Sequence, residues 1–227
     1  MNTAIIVAAG TGSRFAAAQP KQFASLLGKP LILHTLEQFE ACSMVDAIVL
    51  VLSESGRSEF ERIEAPSTWS KTRSIITGGA TRAESVCNGL DAIDPSTANI
   101  VAVHDGARPL VSVDEITRTI RKADDTGAAC LVAELNDTIK EVDASQIIGT
   151  VDRKKLRRAL TPQAFRYEIL KRAFVNAELS DAVTDECFLV EMLGVPIATV
   201  DGSSRNIKIT RAEDIMLAEM FLRDDDA

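Results

Sequence analysis

Short β-type runs separated by stretches with apolar residues at helical spacing constrain this chain more than any other feature. The runs are Ala4–Ala8, Ala47–Leu52, Ser74–Thr77, Ile100–His104 and Ala128–Ala133. Between them, Leu31–Phe39, Arg82–Ile93 and Glu115–Asp124 gather their apolar side chains on one helix face. Strands alternating with helices pair in parallel through right-handed crossovers, so an α/β fold with a doubly wound, mainly parallel sheet is expected. Ligands of such sheets sit beyond the carboxyl ends of the strands, which directs attention to the residues just after Ala9, Thr77 and His104. A length of 227 residues suits one domain of this kind and is short for two, so residues 1–227 read as a single domain.

Residues 136–152, "NDTIKEVDASQIIGTVD", break the rhythm. Thr138–Val142 and Ile147–Val151 flank an Asp-Ala-Ser turn and predict a β-hairpin. A lone two-stranded hairpin is marginal in water, so this arm is expected to protrude and pack on a partner subunit. The spacing then predicts helices over Pro162–Asn176 and Asp185–Leu193, a strand over Pro196–Val200 and a closing helix from Arg211 to Arg223, with Asp224–Asp226 as a frayed tail. The chain ends after that closing helix, so no fused second enzyme is expected.

A net charge of −8 and a pI near 4.9 argue against nucleic acid or an anionic membrane as partner. A few cations converging on one cleft still suffice for a small anionic substrate. Cys42, Cys87, Cys130 and Cys187 are scattered without a CxxC pair, and Cys42 and Cys130, in apolar surroundings, read as reduced core residues of a cytoplasmic protein. With only His34 and His104 available, a Cys/His zinc site is not expected. No signal peptide and no apolar run of membrane-spanning length is recognised.

The first run opens into "AAGTGSRFAAAQPKQF" (residues 8–23). Glycines after a strand let backbone N–H groups close on phosphate oxygens. The stretch lacks the Gly-Lys-Ser/Thr of a P-loop, and position 15 is Phe where a dinucleotide fingerprint needs a third glycine. It offers instead a long cover carrying two cations, Arg14 and Lys21. Such a pair suits a transition state with charge spread over phosphoryl oxygens. On the glycines alone, a plain turn with two solvated cations is an equal reading. "VHDGARP" (residues 103–109) places Asp105 just past a buried strand, where a lone carboxylate suits Mg²⁺ or merely caps a turn. His104 is expected to pack or hydrogen-bond locally.

"AAGTGSRF…PKQF" resembles the signature of nucleotidyltransferases that join a sugar or polyol phosphate to a nucleotide. Within that superfamily the chain is most similar to the 2-C-methyl-D-erythritol 4-phosphate cytidylyltransferase family. The resemblance recurs in order at "GGATRAESVCNGL", "VHDGARPLV", "DRKKLRRALTPQAF", "TDE" and "NIKITRAEDI", and so covers nearly the whole chain. It implies a Rossmann-like fold, a homodimer built through the arm, and Mg²⁺-dependent transfer of the cytidylyl group of CTP to a polyol phosphate. Ribitol 5-phosphate is the alternative acceptor within the class. A non-catalytic nucleotide-binding protein is the alternative outside it.

Residue by residue, the resemblance implies that Ala8, Ala9, Gly10, Thr11 and Gly12 hold the CTP phosphates. Arg14 and Lys21 would stabilise the pentacoordinate α-phosphorus. Gly79, Ala80, Arg82 and Ser85 would meet the base and ribose, and Asp105, Gly106 and Ala107 complete the CTP site, with Asp105 as metal ligand. The family often has alanine where this chain has Gly106. Asp105, Arg108, Thr138, Arg153, Thr161, Thr184 and Lys208 would contact the polyol phosphate, Arg153 and Thr161 across the dimer. Arg157 and Arg158 read as exposed helix charges.

Overall fold

A computed structural model describes residues 1–10, 15, 20–63, 69–175, 177–180 and 182–225. In chain order the first half runs β1 (Thr3–Ala8), β2 (Ser25–Leu26), β3 (Lys29–Pro30), α1 (Leu31–Ala41), β4 (Ala47–Leu52), α2 (Glu54–Phe60), β5 (Thr72–Thr77), α3 (Arg82–Asp91) and β6 (Ile100–Asp105). The second half runs α4 (Val113–Thr126), β7 (Ala128–Ala133), β8 (Ile139–Asp143), β9 (Gln146–Val151), β10 (Arg158–Arg166), α5 (Tyr167–Val175), α6 (Glu186–Glu191), β11 (Ala198–Asp201) and α7 (Ala212–Asp225). Single 3₁₀ turns cover Lys21–Phe23 and Arg153–Lys155.

Seven strands form one sheet in the order β11-β7-β10-β6-β1-β4-β5, parallel throughout except for β10. The sequence makes it doubly wound because its strands are apolar on both faces. Along β1, Ala4, Ile6 and Ala8 enter a core shared with α1 and α4, whereas Ile5 enters one shared with α3, α5 and α6. β4 repeats the division, with Ile48, Leu50 and Leu52 on one side and Val49 and Val51 on the other. A smaller cluster seats α7 on the β2–β3 segment through Ala218, Ile209, Leu26 and Leu31. Thr81 with Glu84 and Ser112 with Glu115 form capping boxes that start α3 and α4 at fixed points.

The expected helix over Pro162–Asn176 is corrected. Residues 158–166 are β10, inserted antiparallel between β6 and β7, and α5 begins only at Tyr167. Leu160, Ala164 and Phe165 are buried because this strand lies inside the sheet, and a short apolar run has no period that separates strand from helix. Pro162 is tolerated there because the ladder to β7 shifts register between Ala159 and Gln163. Arg158 accordingly opens a strand, and Arg157 lies in the coil before it, so neither is a helix charge. Asp224 and Asp225 belong to α7 rather than to a frayed tail, and Asp226 lies outside the described residues. The short α2 and the β2–β3 pair were not anticipated.

The arm is present as β8 and β9, which among the described residues pair only with each other. Its turn places Ala144 and Ser145 at φ 39° and 75°, the left-handed geometry that two-residue hairpin loops require. All four cysteines are free. No helix among the described residues is long and apolar enough to cross a membrane.

Candidate active site

A cavity of about 680 Å³ opens beyond the carboxyl ends of β1, β5 and β6. Its wall includes Ala8, Ala9, Gly10, Lys21, Gly79, Ala80, Arg82, Ser85, Asp105, Ala107 and Lys208, residues from four separate sequence motifs. Parallel strands ending on one rim bring them together.

The floor is tightly packed. A Cβ on Gly78 would lie 2.4 Å from the Ala9 Cβ and 2.6 Å from the Ser85 Oγ, so only glycine lets the β5–α3 turn lie against the end of β1. Gly106 is equally confined: a Cβ there would meet the Ile32 Cδ1 at 2.8 Å and the Ala8 Cβ at 2.9 Å. Ser85 accepts a hydrogen bond from the Gly79 N–H at 3.1 Å and donates to the Thr81 carbonyl at 2.9 Å. The Ala80 N–H donates to Glu84 Oε2 at 2.6 Å. The N–H groups of Gly79 and Ala80, two residues expected to meet the base, are therefore engaged within the turn.

Asp105 is the electrostatic centre. Its Oδ1 accepts from Arg82 Nε at 3.0 Å, and its Oδ2 from Lys208 Nζ at 3.0 Å and Arg108 Nε at 3.3 Å. Burial opposes ionisation, but Arg82, Lys208 and Arg108 together outweigh it and hold the carboxyl far below the usual range. The Arg82 guanidinium also grips Glu186, with Nη1 to Oε1 at 2.7 Å and Nη2 to Oε2 at 3.1 Å. The Glu186 side chain has no solvent exposure, and this burial pushes its carboxyl up against the pull of Arg82. Acceptance of two N–H groups by both oxygens nonetheless requires the carboxylate form. Three cations meet on Asp105 and Glu186, with the Asp185 carboxylate also acting on Glu186.

Behind Asp105 lies a hydrogen-bonded wall. The Asp105 N–H donates to the Thr161 Oγ1 at 3.1 Å, and that hydroxyl lies 3.0 Å from His104 Nδ1, the unprotonated ring nitrogen to which it donates because Nε2 carries the proton. His104 Nε2 then donates to the Arg108 carbonyl at 3.1 Å, which assigns the tautomer. Burial pushes the imidazole down to about 3, so it is neutral and structural, as its sequence context suggested. Asn206 donates to the Thr161 carbonyl at 3.0 Å, and its own carbonyl accepts from Arg108 Nη1 at 2.9 Å. Lys21 also lines the cavity and donates to the carbonyl of Ile209, the residue after Lys208, at 3.0 Å. Beside it Gln22 donates to the Ala8 carbonyl at 2.8 Å and pins the end of β1.

Several anticipated residues fall elsewhere. Thr11, Gly12 and Arg14 lie outside the described residues. Gly106 and Arg108 support Asp105 without lining the cavity. Thr161, expected across the dimer, is buried in its own chain behind Asp105. Thr138 and Arg153 are exposed at the arm's roots, where Arg153 Nη1 donates to the Asn136 carbonyl, and Thr184 is exposed before α6. The sequence reading passed over Gln22, Glu84, Gln163 and Glu186. Glu84 was legible as the fourth residue of a Thr-x-x-Glu capping box, and Glu186 as the last of the "TDE" triplet.

Comparison with known proteins identifies the family. Residues 2–224 match the family IspD, 2-C-methyl-D-erythritol 4-phosphate cytidylyltransferase. A protein of that name from Bacillus velezensis is 41% identical over 221 residues, covering 96% of this chain and 94% of its own. Another from Syntrophus aciditrophicus is 40% identical, covering 97% and 95%. Among solved structures, 4-diphosphocytidyl-2C-methyl-D-erythritol synthase from Anaerococcus prevotii superposes with a TM-score of 0.81 at 28% identity, over 98% of this chain and 96% of that one. A fold ending in this cavity, a family match over almost every residue and relatives aligned along their full lengths have one meaning: the chain belongs to the 2-C-methyl-D-erythritol 4-phosphate cytidylyltransferase family of nucleotidyltransferases.

Proposed function

We propose that this chain transfers the cytidylyl group of CTP to 2-C-methyl-D-erythritol 4-phosphate, releasing pyrophosphate and 4-diphosphocytidyl-2-C-methyl-D-erythritol, an isoprenoid-precursor step. The observation that carries the reading is the Asp105 cluster at the cavity, where three cations surround one ionised carboxylate and Lys21 lines the same cavity. The acceptor's phosphate oxygen is the nucleophile and is already ionised at neutral pH, so no general base is needed. The P–O bond it forms to the α-phosphorus replaces the bond to the departing pyrophosphate. Two repelling anions must be held together, and Lys21 with Arg14 supplies charge where the α-phosphate becomes pentacoordinate. Lys208 faces the acceptor phosphate from the cavity wall, and Arg108 contributes its charge from behind, through Asp105 and the Asn206 carbonyl. With the N–H groups of Gly79 and Ala80 engaged, the turn's carbonyl oxygens are left to accept from the cytosine amino group, which is a donor.

Asp105 fits a magnesium site in which one carboxylate and substrate phosphates supply the oxygens. Lys208, whose side chain is 36% exposed, is the partner of Asp105 freest to yield its place. Bound there, Mg²⁺ supplies neutralisation of the phosphate charge.

Val142, Ile147 and Ile148 leave 63%, 66% and 59% of their surfaces exposed on the arm, and support a homodimer in which these side chains are covered. Thr138 and Arg153 would then act from the arm's roots, Thr184 from its exposed position before α6. Free cysteines suit the cytoplasm. The assay is pyrophosphate release from CTP with magnesium and a panel of acceptors. Release is expected with methylerythritol phosphate; release without acceptor, or faster release with ribitol 5-phosphate, overturns the assignment.

A further inference from the structure

Glu186 contributes no surface to the cavity, yet it holds the residue that holds Asp105. All three Arg82 nitrogens are committed: Nε to Asp105, and the Nη1–Nη2 fork to the two oxygens of Glu186. A planar guanidinium fixed at both ends has no remaining rotation. Without its buried partner the fork would be free to turn onto Asp105 bidentately, or onto an anion in the cavity it lines.

Glu186 is itself seated with care. Gln163 Oε1 accepts from the N–H groups of Glu186 and Cys187 at 3.2 and 3.1 Å, and Gln163 Nε2 donates to Asp185 Oδ2 at 2.9 Å. Gln163 belongs to β10, the strand whose Thr161 supports Asp105 from behind. One strand thus determines the carboxylate twice, directly through Thr161 and at a distance through Gln163, Glu186 and Arg82.

We infer that Glu186 is a positioning residue of the transfer reaction: by occupying the Arg82 fork it lets a single N–H reach Asp105, and so fixes the orientation of the Asp105 carboxylate at the cavity. The inference rests on the proposed cytidylyl transfer, and its test separates the two. Wild type, Glu186→Gln, Arg82→Met and the double variant are compared by pyrophosphate release and by calorimetric titration with CTP in magnesium. Glu186→Gln is expected to lower kcat about tenfold to a hundredfold, the usual loss when a residue supporting a ligand is removed, with the acceptor KM within about threefold of wild type. Because Glu186 acts through Arg82, adding its substitution to Arg82→Met should change neither kcat nor CTP affinity by more than about threefold. Multiplicative losses in the double variant, or wild-type kcat in Glu186→Gln, overturn the inference. Loss of cooperative melting in both Glu186→Gln and the double variant also overturns it, by making the residue one of folding. A wild type that releases no pyrophosphate refutes the reaction instead, and the calorimetric comparison still tests the coupling.

Discussion

Replacing Arg82 with methionine keeps most of the side chain's packing volume and removes the charge from two buried carboxylates. Asp105 retains Arg108 and Lys208, but Glu186, with no exposed side-chain surface, loses its cation. Breaking a buried pair by removing one partner costs about 3–5 kcal/mol. Glu186 has an escape, which is to take up a proton. For a carboxyl that ordinarily titrates near about 4.3, this costs about 1.4 kcal/mol per pH unit above that value, hence about 3.7 kcal/mol at pH 7 and about 1 kcal/mol at pH 5. The variant's deficit should therefore be about 3–4 kcal/mol at pH 7 and shrink to about 1 kcal/mol at pH 5. The sign follows from proton counting. In the variant the folded carboxyl titrates above its unfolded value, so the folded state binds more protons. The stability tied to that proton is fully present below the unfolded pKa and is lost as pH rises through the folded one. The depressed Asp105 carboxyl runs the other way, its stabilisation vanishing only in strong acid. Guanidinium denaturation of both proteins at pH 5, 6 and 7, followed by circular dichroism, measures the gap. A deficit that ignores pH, or one below about 1 kcal/mol at pH 7, would refute the reasoning.

Lys21→Ala should lower kcat by about a hundredfold, the order of losing one preorganised electrostatic stabiliser, and near-normal turnover would remove Lys21 from the chemistry. Gly106→Ala brings a methyl group within 3 Å of Ile32 and Ala8, and should cost about 1–3 kcal/mol in melting experiments; an unchanged midpoint would mean the floor relaxes freely. Ile147→Glu combined with Ile148→Glu should convert a dimer to monomers in sedimentation velocity, and an unaltered profile would place the subunit interface elsewhere.

The parallel part of the sheet was legible because β1, β4, β6 and β7 are continuous apolar runs bounded by helical periods, and two of these, Ala47–Leu52 and Ala128–Ala133, match the expected limits residue for residue. Arg158–Arg166 was not, since an internal antiparallel strand containing proline carries no local signal; its place is decided by the gap it fills between β6 and β7. The cavity residues after β1, β5 and β6 followed from the strand-end rule. Glu186 and Gln163 did not, because their importance lies in contacts spanning 104 and 23 residues to Arg82 and Glu186, respectively, and spacing along a chain encodes no such partnership.

The arm's attachment has a consequence for how such a protein can change over time. It leaves from β7 and returns to β10, and its flanking residues Ala133 and Arg158 are paired neighbours across that ladder. The sheet is therefore sealed at the arm's base, whatever lies beyond. Doubling the excursion would add only about 0.6 kcal/mol of closure entropy. Beyond its roots, the length and sequence of the projection can drift, or be grafted by design, while the pocket keeps its strands in register.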